Sequence, residues 1–318
     1  MPDSSHTPST FDAAFANDML AALKQKPRSI APKYFYDQEG SRLFDQICEL
    51  PGYYPTRTEL SILRQCAAEI ASHMGAHAEL VEFGAGSLTK VRLLLDAMQT
   101  PSRYVPIDIS GEHLAGAARA LKADYPTLQV LPVVADYTQP FKLPASDLAM
   151  GQRVGFFPGS TVGNFTPAEA VDFFSMAAKV LRGGALLVGA DLIKDPGVLH
   201  AAYSDAQGVT AAFNLNLLAR ANRELGTNFD LTRWAHSAFY NAPLQRIEMH
   251  LMSCARQDVR IRGQTFSFEE GETLHTENSY KFTVDSLRAL AVLGGFTPGP
   301  VWTDAEKRFS LHWLHAPK

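Results

Sequence analysis

With 318 residues, 46 % of them apolar, the chain has ample material for a core, and its length corresponds to about two domains; a disordered polymer is excluded. A net charge of −4, with Lys and Arg scattered and not clustered among aromatics, argues against a nucleic-acid binder. Three cysteines, Cys48, Cys66 and Cys254, without a CxxC pair, indicate neither a disulfide framework nor a zinc site, and each reads as a small buried hydrophobe.

Residues 1–10 are polar and rich in Ser, Thr and Pro, which reads as disorder and lacks the build of a signal peptide. No apolar run approaches the ~20 residues of a membrane span, so the expectation is a cytoplasmic protein with no membrane contact. The stretch 11–30 reads as a helix followed by Pro27 and Pro32. Two aromatic clusters come next, Tyr34-Phe35-Tyr36 and Tyr53-Tyr54. Leu60, Ile62, Leu63, Ala67 and Ile70 repeat at near-helical spacing and predict a helix over 58–74. From residue 78 strands and helices alternate: strands over 78–83, 103–109, 128–135, 154–157 and 184–192, with helices over 91–98, 111–125 and 167–181. Such pairing implies a parallel sheet covered on both faces, an α/β fold. The grammar breaks at about 195. Two helical segments follow, then antiparallel strands over 245–253, 258–262 and 265–268. It resumes with a helix over 284–293 and closing strands at 301–302 and 309–314. The chain therefore reads as one domain (58–194 plus 283–318) into which a second (11–57 plus 195–282) is inserted.

Gly84-Ala85-Gly86 follows the first strand of the alternating region. A GxG alone is a weak signal of a nucleotide loop, but Glu82 sits just before it and Asp108 ends the next strand, where an acid can accept ribose hydroxyls. Asp136 and Tyr137 end the third strand, where an acid can take an adenine amino group and a ring can cover its face. A dinucleotide fingerprint needs a third glycine at position 89. Thr89 stands there, followed by Lys90. S-adenosylmethionine (SAM) carries no pyrophosphate, so it tolerates that loss and fits better than a dinucleotide.

Several longer stretches carry a resemblance: Ala31–Asp37, Tyr53–Glu59, Gly159–Asn164, Gly208–Asn214 and Arg246–Met249. In these the chain resembles the histidine-specific Nα-methyltransferases of ergothioneine biosynthesis, from about residue 12 onward. The resemblance implies a Rossmann-like SAM-dependent methyltransferase domain with a second, inserted α+β substrate domain. It implies three methyl transfers from SAM to the α-amino nitrogen of L-histidine, giving hercynine. It matches Gly84, Lys90, Asp108, Asp136 and Tyr137 to the SAM site, where the loop reading also places Gly86, and the family usually has Phe where Tyr137 stands. It matches Tyr53, Gly159, Asn164, Tyr203, Met249, Glu277 and Ser279 to the histidine site, and Tyr36 and Asn164 to the groups at the reacting nitrogen. A monomer is expected, and no metal.

The chemistry asked of these residues is consistent. The nucleophile must be a neutral amine, and desolvation beside a sulfonium lowers an amine pKa, so no strong general base is needed. An Asn amide at 164 both donates and accepts and can hold amine and carboxylate together. Tyr53 and Tyr203 can donate phenolic hydroxyls. The Tyr36 ring favours the accumulating methylammonium by ~0.5–2 kcal/mol. Glu277 and Ser279 can read the two imidazole nitrogens. Plainer readings stand beside these. The Tyr34–Tyr36 cluster could be core packing, Asn164 could cap the following helix, and Glu277 could be solvated. His73 and His77, spaced i, i+4, read as surface residues, and His236, His250, His275 and His312 carry no assigned role. The competing functions are methylation of another amino acid such as tryptophan, which would not call for Glu277 and Ser279, and small-molecule binding without catalysis.

Overall fold

The computed structural model describes residues 10–145 and 151–318. The disorder expected for residues 1–10 lies outside them, except that Thr10 opens the first helix. The chain forms two compact units: one of the residues up to Phe44 with Tyr203–Phe239 and Glu248–Glu277, the other of Asp45–Ala202, Tyr240–Ile247 and Asn278–Lys318. The expected divisions after 57, 194 and 282 thus fall instead after 44, 202 and 277, with 240–247 also in the second unit.

Helix α1 (Thr10–Lys24) and the short strand β1 (Arg28–Ser29) lead to α2 (Gln38–Glu49) and α3 (Tyr54–Met74). The alternating region then gives β2 (Glu79–Phe83), α4 (Thr89–Ala97), β3 (Arg103–Asp108), α5 (Gly111–Asp124), β4 (Gln129–Val130), β5 (Val133–Val134), β6 (Arg153–Phe157), α6 (Pro167–Val180) and β7 (Ala185–Asp191). The single strand expected over 128–135 is two short ones. Pro132 has no N–H to donate, so the ladder on β3 breaks between Val130 and Val133. Next come α7 (Pro196–Tyr203), α8 (Val209–Leu225) and five strands: β8 (Trp234–Asn241), β9 (Arg246–Ser253), β10 (Gln257–Ile261), β11 (Gln264–Phe268) and β12 (Thr273–Tyr280). Helix α9 (Val284–Leu293) and strands β13 (Thr297–Thr303) and β14 (Phe309–His315) close the chain.

The second unit is built on a sheet of order β13-β14-β7-β6-β2-β3-β4, with β5 also on β3. Strands β7, β6, β2, β3 and β4 run parallel, β14 pairs antiparallel with β7, and β13 pairs antiparallel with β14. Because successive strand side chains point to opposite faces, Leu80, Tyr104, Phe156 and Leu187 enter one core with α3, α4 and α5. Their neighbours Val81, Val105, Phe157 and Val188 enter a second core with α6 and α9. Both faces are therefore covered, and the strands read as continuous apolar runs for that reason. The first unit holds a sheet of order β1-β12-β9-β8 and the β10-β11 hairpin. Strand β8 and helix α2 have no counterpart among the expected elements.

The cysteines depart from expectation. Cys254 is exposed and Cys48 and Cys66 are half-buried; Cys254 sits in the turn between β9 and β10, where no core is available. His73 and His77 are exposed, as read from sequence. Among the described residues no helix is long and apolar enough to cross a membrane.

Candidate functional site

In the second unit the candidate residues gather at the carboxyl ends of the parallel strands, where open α/β sheets bind ligands. Gly84 and Gly86 leave β2 at φ 69° and 54°, left-handed values that suit glycine. The Gly84 and Ala85 N–H groups donate to Ile107 O at 2.9 and 3.1 Å, tying the loop to β3. Asp108 ends β3, and its carboxylate accepts from Gly86 N at 3.1 Å and Ser110 N at 2.8 Å. These backbone donors fix both oxygens at the loop. Asp136 accepts from Thr138 N at 2.9 Å and from the Thr138 hydroxyl at 2.5 Å. The Tyr137 ring packs edge-on to Phe83, Phe157 and Phe173, and a Cβ on Gly84 would meet it at 3.6 Å. Burial, with Asp108 and Asp136 nearby, pushes the Tyr137 phenol up, so it stays protonated. A carboxylate for a diol, a ring beside a glycine loop and no third glycine suit adenosine without a pyrophosphate.

Lys90 points to a residue the sequence reading left without a role. Its ammonium pairs with Glu59 at 2.6 Å, and the fully buried Glu59 carboxylate also accepts the Gly159 N–H, at 2.9 and 3.1 Å to its two oxygens. Burial pulls Lys90 down, but the attraction of the Glu59 carboxylate, with smaller contributions from Cys48 and Glu82, gives a net upward shift. Glu59 thereby joins the helix after the Gly84 loop to the turn after β6. That turn needs two consecutive left-handed residues, Gly159 at φ 78° and Ser160 at φ 57°. Ser160 Oγ accepts from Asp191 N at 2.8 Å, holding the turn against the end of β7. Asp191 is itself buried and takes the Tyr54 hydroxyl at 2.6 Å, Lys194 at 2.6 Å and Lys281 at 2.8 Å. Burial lowers Lys194 to about 8 despite Asp191.

Asn164 ends a short 3₁₀ turn, Thr161–Asn164. It does not cap α6, because Thr166 does so in a capping box with Glu169, and the plain reading of Asn164 falls. Buried Tyr53 immediately precedes α3, its carbonyl accepting from Arg57 at 3.0 Å. Ser279 is buried, and Lys281 donates to its Oγ at 2.8 Å.

In the first unit the aromatic cluster divides. Tyr34 and Phe35 are fully buried packing residues, whereas Tyr36 is half-buried, its ring edge-on to Phe44 and Phe213 at 5.7 Å each. Asp37 anchors this segment. Its carboxylate accepts from Gly40 N at 2.7 Å, Asn216 at 2.8 Å and Arg223 at 2.5 Å. Burial would raise the Asp37 carboxyl, but these donors hold it below its ordinary value. Tyr203, Met249 and Glu277 are all buried, so Glu277 is not the solvated residue of the plain reading. A polar chain supports them. His236 donates from Nε2 to Tyr203 O at 2.9 Å, and its Nδ1 accepts from Asn214 Nδ2 at 2.9 Å. The Thr276 hydroxyl bridges Asn214 Oδ1 at 2.8 Å and Met249 O at 3.0 Å. Burial lowers the His236 pKa, and this pairing assigns it the neutral Nε2–H form.

The residues matched to SAM thus lie together in the second unit, with Tyr53, Gly159, Asn164 and Ser279 in the same unit. Tyr36, Tyr203, Met249 and Glu277 lie in the first. Comparison with known proteins gives this geometry its setting. The chain is 43 % identical over 305 residues to a histidine N-alpha-methyltransferase of Mycolicibacterium smegmatis, covering 94 % of each chain. It is 41 % identical, with the same coverage, to a histidine N-alpha-methyltransferase of Mycobacterium tuberculosis. It is 28 % identical over 297 residues to ergothioneine biosynthesis protein 1 of Neurospora crassa, covering 92 % of this chain and 33 % of that one. A profile of the family described as "Histidine-specific methyltransferase, SAM-dependent" matches residues 15–316, nearly the whole of both units, and the chain belongs to that family.

Proposed function

We propose that this protein transfers three methyl groups from SAM to the α-amino nitrogen of L-histidine, releasing the α-N,N,N-trimethyl product, hercynine. The observation that carries the reading is the 43 % identity to a histidine N-alpha-methyltransferase across 94 % of both chains. SAM supplies an electrophilic methyl group, and the chain's residues bind, orient and desolvate around it. Asp108 accepts the ribose hydroxyls, Asp136 takes the adenine amino group and Tyr137 covers the adenine face. Gly84 and Gly86 let the backbone approach. Lys90, braced by Glu59, sets the Gly159 turn beside the SAM loop. Asn164 holds the substrate amine and carboxylate, with Tyr53 and Tyr203 as hydroxyl donors. Tyr36 lies at the nitrogen that accepts the methyl group. Glu277 and Ser279 read the imidazole, and Met249 lines its pocket. The amine attacks as the neutral form, which desolvation favours, and fixed orientation supplies several kcal/mol of the barrier.

Incubation with excess SAM and histidine should give mono-, di- and trimethyl species in succession by mass spectrometry, with fragmentation placing every methyl group on the α-nitrogen. Methylation confined to the imidazole would overturn the proposal.

A further inference from the structure

Glu248 and His250 are two residues apart on β9 and so project from the same face of the strand, opposite to Met249. His275 reaches them from β12, the neighbouring strand. One ligand atom from each of the three lies within 4.8 Å of the other two. Glu248 Oε2 stands 3.1 Å from His250 Nε2. A tetrahedral cation with bonds of about 2.0–2.1 Å spaces its ligands by about 3.3 Å. Two ligands are therefore near that spacing already, and the third needs to close by no more than about 1.5 Å.

The surroundings favour the same reading. His275 Nδ1 lies 2.9 Å from the hydroxyl of Ser29, its register partner on β1. His250 Nδ1 lies 3.3 Å from the Thr273 hydroxyl. At His275, a hydroxyl that accepts the Nδ1–H leaves the lone pair on Nε2, which is how outer hydrogen bonds prepare a histidine to ligate. Phe239 stacks on the His250 ring at 5.4 Å and 14°, covering one side of the cluster. Glu248 is buried, with 8 % of its surface exposed, so its oxygen reaches the two imidazoles away from bulk water.

We propose that Glu248, His250 and His275 form a site for one divalent cation of the zinc class, held by two imidazole nitrogens, one carboxylate oxygen and a water. Imidazole with carboxylate suits zinc and its late first-row neighbours over magnesium or calcium. A cation here ties β9 to β12, the strands that carry Met249 and Glu277.

The test uses the full chain without an affinity tag, stripped with a chelator. Zn²⁺ is titrated in competition with a chromophoric chelator, and Co²⁺ is added separately for its visible spectrum. One Zn²⁺ per chain is expected, with Co²⁺ bands of a four- or five-coordinate site. His250→Gln and His275→Gln should each weaken binding by roughly 100-fold or more, and Ser29→Ala, which removes an outer hydrogen bond, by about 10-fold. His77→Gln, at an exposed histidine, should change nothing. Absence of stoichiometric uptake, or full uptake in either His250→Gln or His275→Gln, overturns the site. Should those two variants misfold, X-ray absorption at the zinc edge of the wild-type protein decides: two imidazoles support the site and fewer overturn it.

Discussion

Asp108 carries two backbone hydrogen bonds, from Gly86 and Ser110, so its direction is set before any ligand arrives. Asp108→Ala removes a charge-assisted acceptor and should weaken SAM binding by about 1–3 kcal/mol. Calorimetry on the folded variant checks this, and unchanged affinity removes Asp108 from the site. Glu277 is buried on β12, and under the proposed function its carboxylate accepts the imidazole N–H. Glu277→Ala should therefore depress kcat/KM for histidine strongly and leave SAM affinity intact, because the variant loses a hydrogen bond to the substrate side chain that SAM does not make. An unchanged ratio of histidine to tryptophan turnover would take that role from Glu277. Residues of this kind were legible as candidates from strand ends and matched stretches. Their partners were not: Glu59, Asn214 and His236 act through contacts between segments far apart in sequence. Glu59 did leave a trace. It stands on the apolar stripe of α3 with Ile62, Leu63 and Ile70, and an acid on a buried face must be paired.

Helix and strand ends place most of the second unit's candidate residues. Thr166 and Glu169 close the capping box that starts α6 two residues after Asn164. Thr166→Ala should cost about 1 kcal/mol of unfolding free energy, measured in urea. The ion pair of Glu59 with Lys90 bridges α3 and α4. Glu59→Gln keeps the shape but removes the counter-charge, and breaking a buried pair costs about 3–5 kcal/mol; a loss of similar size in urea unfolding is expected, whereas wild-type stability would mean that Lys90 finds another partner. The βα alternation was readable because the central strands β2, β3, β6 and β7 are largely apolar and bury residues on both faces. Strand β8, Trp234–Asn241, was not, since most of its residues are half-exposed and mixed in character. Its pairing with β9 makes it a strand, and no local pattern encodes that.

At the scale of the whole molecule, buried titratable groups shape the response to pH, and Glu82 and His312 act between about pH 3 and 8. Burial raises Glu82 from 4.5 to about 8, against the Tyr104 hydroxyl bonded to it. The folded protein keeps a proton that the unfolded chain releases, so this contribution to stability is full below pH 4.5 and lost as pH rises through about 8. Burial lowers His312 from 6.5 to about 3, and its contribution is full above pH 6.5 and lost as pH falls toward 3. Between 4.5 and 6.5 the two slopes oppose each other. Glu82→Gln should flatten the fall in unfolding free energy between pH 6.5 and 8 while leaving the acid limb intact, as followed by urea titrations across that range. An equal slope in the variant would place the alkaline loss elsewhere.

The position of β14 bears on how the chain comes to be folded at all. It lies inside the sheet, between β13 and β7, pairing Phe309 with Asp191 and His315 with Ala185. All seven residues of β7 are buried. While the chain is being synthesised, β7 can pair with β6 soon after it emerges, but its other edge stays open until a segment made far later arrives. An open apolar edge is a template for wrong partners, and late non-local pairing slows folding. Pulse-labelled hydrogen exchange during refolding should find the β2 and β6 amides protected before those of β7 that face β14. The order in which the ribosome delivers these strands is then a hazard that only the last of them removes.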